Sequence, residues 1–370
     1  MLYRPFGNTG VEVSILGFGA MRLKEVERNG QWEVDEDLAI AIIHRAFELG
    51  VNYIDTAYGY CHGNSERVVG RALKGWRDRV YVATKVPTYL IESRGDYRRF
   101  LEEQLQRLDV DCIDFYHFHA LNQERFENVV LKYDLLEEAR KARDEGLVRY
   151  ICFSFHDRPE VMMRLIDIGI FDAVLCQYNL LDRSNEEAMA YAHSRGVGVA
   201  VMGPVGGGRL AGPYRLLQQL GGEKYASGPE LALRFVFSNP HVSVALSGMN
   251  TMEMVEENAR IASRHEPLND EEMARIRTMM REYQKLADLY CTECAYCMPC
   301  PNGVDIPTNF RLMNYYRVYG LEDWAREEYR KMPEEKRASA CLGCGECEPK
   351  CPQKISVRQR LEEVARTLEE

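Results

Sequence analysis

Three absences narrow the sequence before any motif is considered. There is no long run of basic residues, and 47 Lys and Arg against 57 Asp and Glu leave a formal net charge of −10. That balance sets nucleic acid aside as a partner. No apolar stretch is long enough to cross a bilayer, so no membrane partner is expected. The opening Met1-Leu2-Tyr3-Arg4-Pro5-Phe6-Gly7 does not read as a secretory leader, and a cytoplasmic location is the expectation.

Apolar residues, by contrast, make up 46% of the 370 positions, enough for one large domain and a smaller one. Cysteine is plentiful too. Of twelve cysteines, Cys61, Cys112, Cys152 and Cys176 are scattered, and the other eight fall between Cys291 and Cys351. In a cytosolic chain such clustering points to metal or redox chemistry rather than disulfides.

To about residue 265 the chain alternates short apolar runs with helical stretches. The runs are Ser14–Ala20, Val51–Asp55, Val80–Lys85, Cys112–His119, Arg149–Phe155, Ala173–Asn179, Gly198–Pro204 and Val242–Gly248. Helical patterns lie between them, among them Asp35–Leu49, Ser65–Leu73, Tyr97–Leu108 and Val130–Glu145, with Gly50, Gly146 and Gly196 as helix stops. The run starts, from residue 14 to residue 242, step by about 33 residues, which suits strand–helix units. Eight of them predict an α/β fold closed as a (β/α)8 TIM barrel. An open doubly wound sheet is the competing reading, but Gly17-Phe18-Gly19-Ala20-Met21-Arg22 lacks the third glycine of its phosphate turn. Before the barrel, Tyr3–Phe6 and Val11–Val13 flank the turn-rich Gly7-Asn8-Thr9-Gly10, a β-hairpin suited to plugging one barrel end.

Barrel enzymes place their chemistry at the C-terminal strand ends. Those ends carry Asp55, Lys85 and His119, and the loop after Asp55 adds Tyr58 and Tyr60. Together such groups can protonate a carbonyl. A free tyrosine, with a pKa of about 10, is a poor acid at neutral pH. A lysine cation nearby favours tyrosinate, an aspartate keeps the lysine charged, and an imidazole orients the substrate oxygen.

Asp55-Thr56-Ala57-Tyr58-Gly59-Tyr60, Tyr81-Val82-Ala83-Thr84-Lys85 and Asp114-Phe115-Tyr116-His117-Phe118-His119 resemble the aldo-keto reductase family. So does the opening from Gly7 to Gly19, and the resemblance covers about residues 1–265. It implies an oxidoreductase with a catalytic tetrad of Asp55, Tyr60, Lys85 and His119. The family's tyrosine, five positions after the aspartate, selects Tyr60 over Tyr58. His117 shares the strand face of His119 but lies deeper, so it reads as a core residue.

The resemblance also implies a nicotinamide dinucleotide, NAD(P)H, at the barrel mouth. Ser154 and Gln177 would hold its carboxamide, Pro204-Val205-Gly206-Gly207-Gly208 looks like the pyrophosphate-side loop, and Glu257 and Asn258 match the adenine-side pair. Asn250 reads as the N-cap of the last barrel helix, whose N-terminus can receive an anion. Other positions depart from the family. Phe155 follows Ser154 where asparagine is usual, Met202 replaces the stacking aromatic, and Gly248 and Met254 stand where cations clamp a 2′-phosphate. That leaves NADH, NADPH and flavin open.

In the last quarter, Cys291-x2-Cys294-x2-Cys297-x2-Cys300-Pro301 precedes Cys341-x2-Cys344-x2-Cys347-x3-Cys351-Pro352. Paired C-x2-C alone would satisfy zinc, but two complete runs, each with its proline, predict two [4Fe–4S] clusters. In two-cluster ferredoxins the fourth cysteine serves the other cluster. By that rule Cys291, Cys294, Cys297 and Cys351 hold one, and Cys341, Cys344, Cys347 and Cys300 the other. The first run is one residue short before Cys300. The spacer Ile306–Arg337 lacks strand alternation and reads as helices, so this part resembles the α-helical ferredoxins. The expected domains are 1–285, a barrel with its hairpin, and 286–370, a ferredoxin-like domain. The whole resembles the ferredoxin-fused subgroup of aldo-keto reductases.

Two functions fit. One is an oxidoreductase interconverting a small-molecule carbonyl and alcohol, exchanging electrons through its clusters with a redox protein partner. The other is a cofactor-binding or electron-transfer module whose barrel does not reduce free carbonyls. Hydride carries two electrons and a cluster normally exchanges one at a time, so direct coupling needs a flavin.

Overall fold

The computed structural model describes residues 1–28, 31–180, 182–208, 210, 225, 227–264, 266–283, 291, 293–317 and 322–369. The chain opens with the expected hairpin, β1 (Tyr3–Pro5) paired antiparallel to β2 (Glu12–Ser14). Next come β3 (Leu16–Gly19) and a second hairpin, β4 (Glu25–Arg28) with β5 (Gln31–Val34). The sequence reading made no provision for this second hairpin, although Val26, Trp32 and Val34 alternate with charged or polar neighbours.

The barrel continues with β6 (Tyr53–Asp55), β7 (Tyr81–Val86), β8 (Ile113–Leu121), β9 (Val148–Phe155), β10 (Ala173–Gln177), β11 (Gly198–Met202) and β12 (Val244–Ser247). With β3 these close into one parallel barrel in which β12 pairs back to β3. Each of the eight expected apolar runs supplies one strand. All nine residues of β8 are buried, as befits a parallel strand covered on both faces. Helices Glu36–Glu48, Ser65–Leu73 and Gly95–Leu108 follow strands as expected. The expected helix Val130–Glu145 is instead broken. A π-helical turn, Phe126–Leu131, is followed by helix Leu135–Asp144, with Asp134 between them at φ 54°. Aspartate tolerates that left-handed region because its short polar side chain bonds locally.

The first hairpin closes one end of the barrel. Phe6, Val11 and Val13 share a buried cluster with Tyr53, Phe115, Leu175 and Val244. The Phe6 ring meets Phe115 at 4.9 Å and Tyr53 edge-on at 5.7 Å. Gly7, at φ +58°, sits where a Cβ would come within 2.4 Å of Gly198 N, so a side chain there would push the hairpin out. Cys152 and Cys176 are buried as expected of core cysteines, whereas Cys112 is only half-buried.

By its contacts the chain forms two compact units. One comprises 1–204 and 232–267, the other 205–231 and 268–370. The division by contacts at Pro267 lies before the expected domain boundary at 285. The described residues of the second unit form helices and turns without strands. Helix Val357–Glu369 buries Val357, Leu361, Val364 and Leu368, one stripe at helical spacing, against a core that includes Phe310, Met313 and Tyr329.

Candidate functional site

Asp55 ends β6, and Lys85 stands one residue from the end of the neighbouring strand β7. Lys85 Nζ donates to Asp55 Oδ1 at 2.6 Å and to the Thr56 carbonyl at 2.7 Å. Both side chains are nearly inaccessible to solvent. Burial pushes the Asp55 carboxyl up and the Lys85 ammonium down, and each opposes the other's shift as an ion pair. Asp55 Oδ2 has no hydrogen-bond partner among the described residues.

His119 lies at an irregularity in β8. The register with β9 shifts between Phe118 and Leu121, and Ala120 takes φ 52°. Such a bulge re-aims neighbouring side chains. Three hydrogen bonds hold it. Ala120 N donates to Ser154 Oγ at 2.7 Å, Arg125 Nη1 to the Ala120 carbonyl at 2.8 Å, and Thr88 Oγ1 to the His119 carbonyl at 2.5 Å. Burial, then the nearby Lys85, His156 and Arg125, keep the His119 imidazole well below its usual range, hence neutral.

Tyr60 opens the turn Tyr60–Gly63, where Cys61 and His62 both have positive φ, 50° and 55°. Two consecutive non-glycine residues in that region cost about 1–3 kcal/mol each. The turn is tied down by His62 Nδ1 to Glu25 Oε1 at 2.8 Å and by the buried Cys61 thiol near the Met21 carbonyl, at 3.6 Å. The Tyr60 ring lies with Lys85 Nζ 4.9 Å from its centroid and meets His119 edge-on at 6.1 Å. The four residues of the expected tetrad therefore converge. Tyr58 turns away, its hydroxyl on Glu103 and its ring under Arg107. His117 is fully buried below, its imidazole pushed down to about 3 by burial and by Lys85.

Three residues near the tetrad escaped the sequence reading. Tyr89, partly exposed, reaches His119 at 5.8 Å and covers Gly59. His156 is partly buried, its pKa lowered to about 4 by desolvation and by Arg125. Glu66 is a buried carboxylate behind β7, accepting from Thr84 Oγ1 at 2.6 Å, from Gln104 Nε2 and from Arg107 at 3.2 Å. Its sequence signal was slight, since an acid in the first turn of helix Ser65–Leu73 ordinarily faces water.

Of the expected cofactor residues, Ser154 stands one residue from the end of β9 and Gln177 ends the neighbouring β10. Gly203, at φ +64°, packs so closely that a Cβ would sit 2.4 Å from Gln177 Nε2, and Asn179 Nδ2 bonds the Gly203 carbonyl at 2.9 Å. Pro204 follows. Gly206–Gly208 form a tight turn assigned to the other unit, with Gly207 at φ 69°. Asn258 Nδ2 donates to Ser247 Oγ at 3.1 Å, and Glu257 precedes it in helix Met252–Arg264. That helix is capped by Thr251 rather than Asn250. Thr251 immediately precedes the first helical residue, and its Oγ1 accepts Met254 N at 3.3 Å. Gly248 is exposed, and the space a Cβ would take lies 3.7–3.8 Å from the Arg22 side chain. Met254 is 41% exposed. Two polar side chains, Ser154 and Gln177, thus stand on neighbouring strands, while Gly248 and Met254 bring no charge of their own.

In the second unit, Cys291, Cys294, Cys297 and Cys351 line a single cavity with Ile306, Phe310, Pro352 and Val357. Burial pushes the Cys297 thiol up to about 12, with Cys291, Cys294 and Cys351 adding to the shift. Cys347 is buried beside Cys341 and Cys344. The turn at Cys300, closed by Gly303 N to the Cys300 carbonyl at 3.0 Å, brings Asn302 Nδ2 to 3.9 Å from Cys344 Sγ. Cys351, the end of the second run, thus meets the first run, and the turn after Cys300 reaches the second. Among the described residues no His, Cys, Asp or Glu side chains gather as a single-ion site. All-thiolate donors around a mostly apolar cavity fit an iron–sulfur cluster.

Barrel and cysteine runs together define an α/β-barrel oxidoreductase joined to a 4Fe–4S dicluster domain. The aldo/keto reductase family model matches residues 15–281 and the 4Fe-4S dicluster domain model residues 290–355. The chain belongs to the aldo/keto reductase family. It is 28% identical to an L-galactose dehydrogenase of Arabidopsis thaliana, over 76% of this chain and 95% of that one. It is 33% identical to a probable aldo-keto reductase of Glycine max, over 56% and 60%. An aldo-keto reductase from Bacillus halodurans, solved in its holo form, superposes with a TM-score of 0.66 at 29% identity, covering 75% of this chain and 96% of that one. Among the described residues no helix is long and apolar enough to cross a membrane.

Proposed function

We propose that the barrel interconverts a small-molecule carbonyl and its alcohol, with Tyr60 as the general acid. The observation that carries this reading is the buried Lys85–Asp55 pair, whose ammonium lies 4.9 Å from the Tyr60 ring centroid. In the reducing direction Tyr60 Oη gives its proton to the carbonyl oxygen as the alkoxide develops. Lys85 stabilises the phenolate left behind, and Asp55 keeps Lys85 protonated against its burial. Neutral His119 donates a hydrogen bond that orients the carbonyl oxygen. A reduced nicotinamide, when bound, supplies the hydride. Ser154 and Gln177 would hold its carboxamide, and Pro204, Gly206, Gly208, Asn250, Glu257 and Asn258 would serve the rest of the dinucleotide.

The eight cysteines would hold two [4Fe–4S] clusters, which exchange single electrons. Cys291, Cys294, Cys297 and Cys351 would serve one, Cys341, Cys344, Cys347 and Cys300 the other. A redox protein partner would receive or supply those electrons.

The uncharged Gly248 and Met254 support a second reading, in which the barrel binds a cofactor, flavin included, without reducing free carbonyls. Anaerobic purification followed by identification of the released cofactor separates the two. A nicotinamide dinucleotide, or an empty site that binds one on titration, supports the first. A stoichiometric flavin supports the second.

A further inference from the structure

The two cysteine sets occupy different surroundings. The set with Cys351 faces a cavity walled by Ile306, Phe310 and Val357, an apolar lining that does little to stabilise added negative charge, and there Glu293 N donates to Cys291 Sγ at 3.4 Å. The Cys341–Cys347 loop is open over its first half. Cys344 is exposed and Leu342 is 78% exposed, while Cys347 at the end of the loop is buried. Two polar groups address this loop. Asn302 Nδ2 lies 3.9 Å from Cys344 Sγ, as a donor to sulfur. The Arg358 guanidinium packs on the loop itself, since a Cβ added at Gly345 would lie 3.5 Å from Arg358 Nε and 3.6 Å from its Cζ. Cys347 and Cys341 lie close enough to influence the Arg358 charge. Arg358 is also paired with Glu348, Nη2 to Oε2 at 3.0 Å, while its backbone N–H reaches Glu348 Oε1 at 3.2 Å. That pairing fixes the guanidinium in place and offsets part of its field.

Reduction of a cluster from [4Fe–4S]2+ to [4Fe–4S]1+ adds one electron and one negative charge. Solvent exposure, donors to sulfur and a nearby cation all favour that added charge, whereas apolar burial opposes it. We propose that the two clusters are held at unequal potentials, the Cys341–Cys344–Cys347 cluster being the easier to reduce, and that Arg358 and Asn302 set that difference. The proposal rests on the cysteine runs holding two [4Fe–4S] clusters. It assigns the exposed loop as the resting place of the first electron and the apolar cavity as the harder site.

The test is a mediator-poised redox titration of the anaerobically isolated full chain, reduced with dithionite and followed by electron paramagnetic resonance. Iron and acid-labile sulfide are assayed on the same sample. The wild type should show two separate midpoints. Arg358→Gln should lower only the higher one, Asn302→Ala should lower it too, and Glu348→Gln should raise it. The unshifted cluster reports that the domain remains folded. A single shared midpoint would overturn the proposal. So would a shift of the lower midpoint in Arg358→Gln, or Arg358→Gln and Glu348→Gln moving in the same direction. A chain with zinc and no sulfide would instead overturn the cluster reading beneath it, and the assay separates that failure from the first.

Discussion

At the scale of single residues, the barrel buries charge and imidazole together, and this makes stability depend on pH. His117 is pushed down to about 3 and His156 to about 4, both chiefly by burial. In the unfolded chain these imidazoles titrate near 6.5. Between that value and the folded ones the unfolded state binds more protons, so stability is full above about pH 6.5 and falls as pH drops below it. Each of the two histidines contributes a slope of up to about 1.4 kcal/mol per pH unit in that window. Denaturant midpoints measured from about pH 8 to about pH 5 should therefore fall on the acid side, and His117→Asn should flatten the fall. A second expectation concerns the dinucleotide. With Gly248 and Met254 where the resemblance puts cations, each missing charge-assisted hydrogen bond costs about 1.5–3 kcal/mol. Fluorescence titration should find NADPH and NADH affinities within roughly tenfold. A hundredfold preference for NADPH that disappears in Arg22→Ala would instead show that Arg22, which packs beside Gly248, supplies the cation.

At the scale of elements, strands were the most legible part of the sequence. Their apolar runs are short, bounded by polar ends, and alternate with longer helical patterns, which is how buried parallel strands read. What periodicity could not convey was local departure from regularity. The π-helical turn at Phe126–Leu131, the bulge at Ala120 and the paired positive φ angles of Cys61 and His62 depend on side chains distant in sequence. The displaced N-cap has a plainer cause, because Asn250 and Thr251 are both good caps and only the helix start decides between them. Glu66 was missed for the opposite reason. It has the sequence of a solvated first-turn acid, and only tertiary packing turns it toward Thr84 and Gln104. The hairpin plug yields its own prediction. Phe6 is fully buried among Tyr53 and Phe115, so Phe6→Ala should cost about 3–5 kcal/mol of barrel stability. Chemical denaturation followed by circular dichroism measures it, and a loss near zero would mean that the hairpin does not close the barrel.

At the scale of the whole molecule, two chemistries share one chain, and each was legible to a different degree. Asp55, Lys85 and His119 stood out because they fall at or near strand ends, Tyr60 in the loop after Asp55 stood out only through the family resemblance, and the cysteine runs stood out by their spacing. The residues proposed to hold a dinucleotide were harder to read, since Gly206–Gly208 look like any glycine-rich turn. Two clusters require iron and acid-labile sulfide each to approach about eight per chain after anaerobic reconstitution. Colorimetric assay of both checks this. The central claim, however, is that Tyr60 delivers the proton in carbonyl chemistry. The direct measurement is turnover of the Tyr60→Phe variant beside the wild type, with a reactive aromatic aldehyde and reduced nicotinamide, together with dinucleotide affinity for both. The account predicts a loss of ~10²–10⁴-fold in turnover, with dinucleotide affinity and thermal stability unchanged. Equal turnover in the two proteins would contradict it.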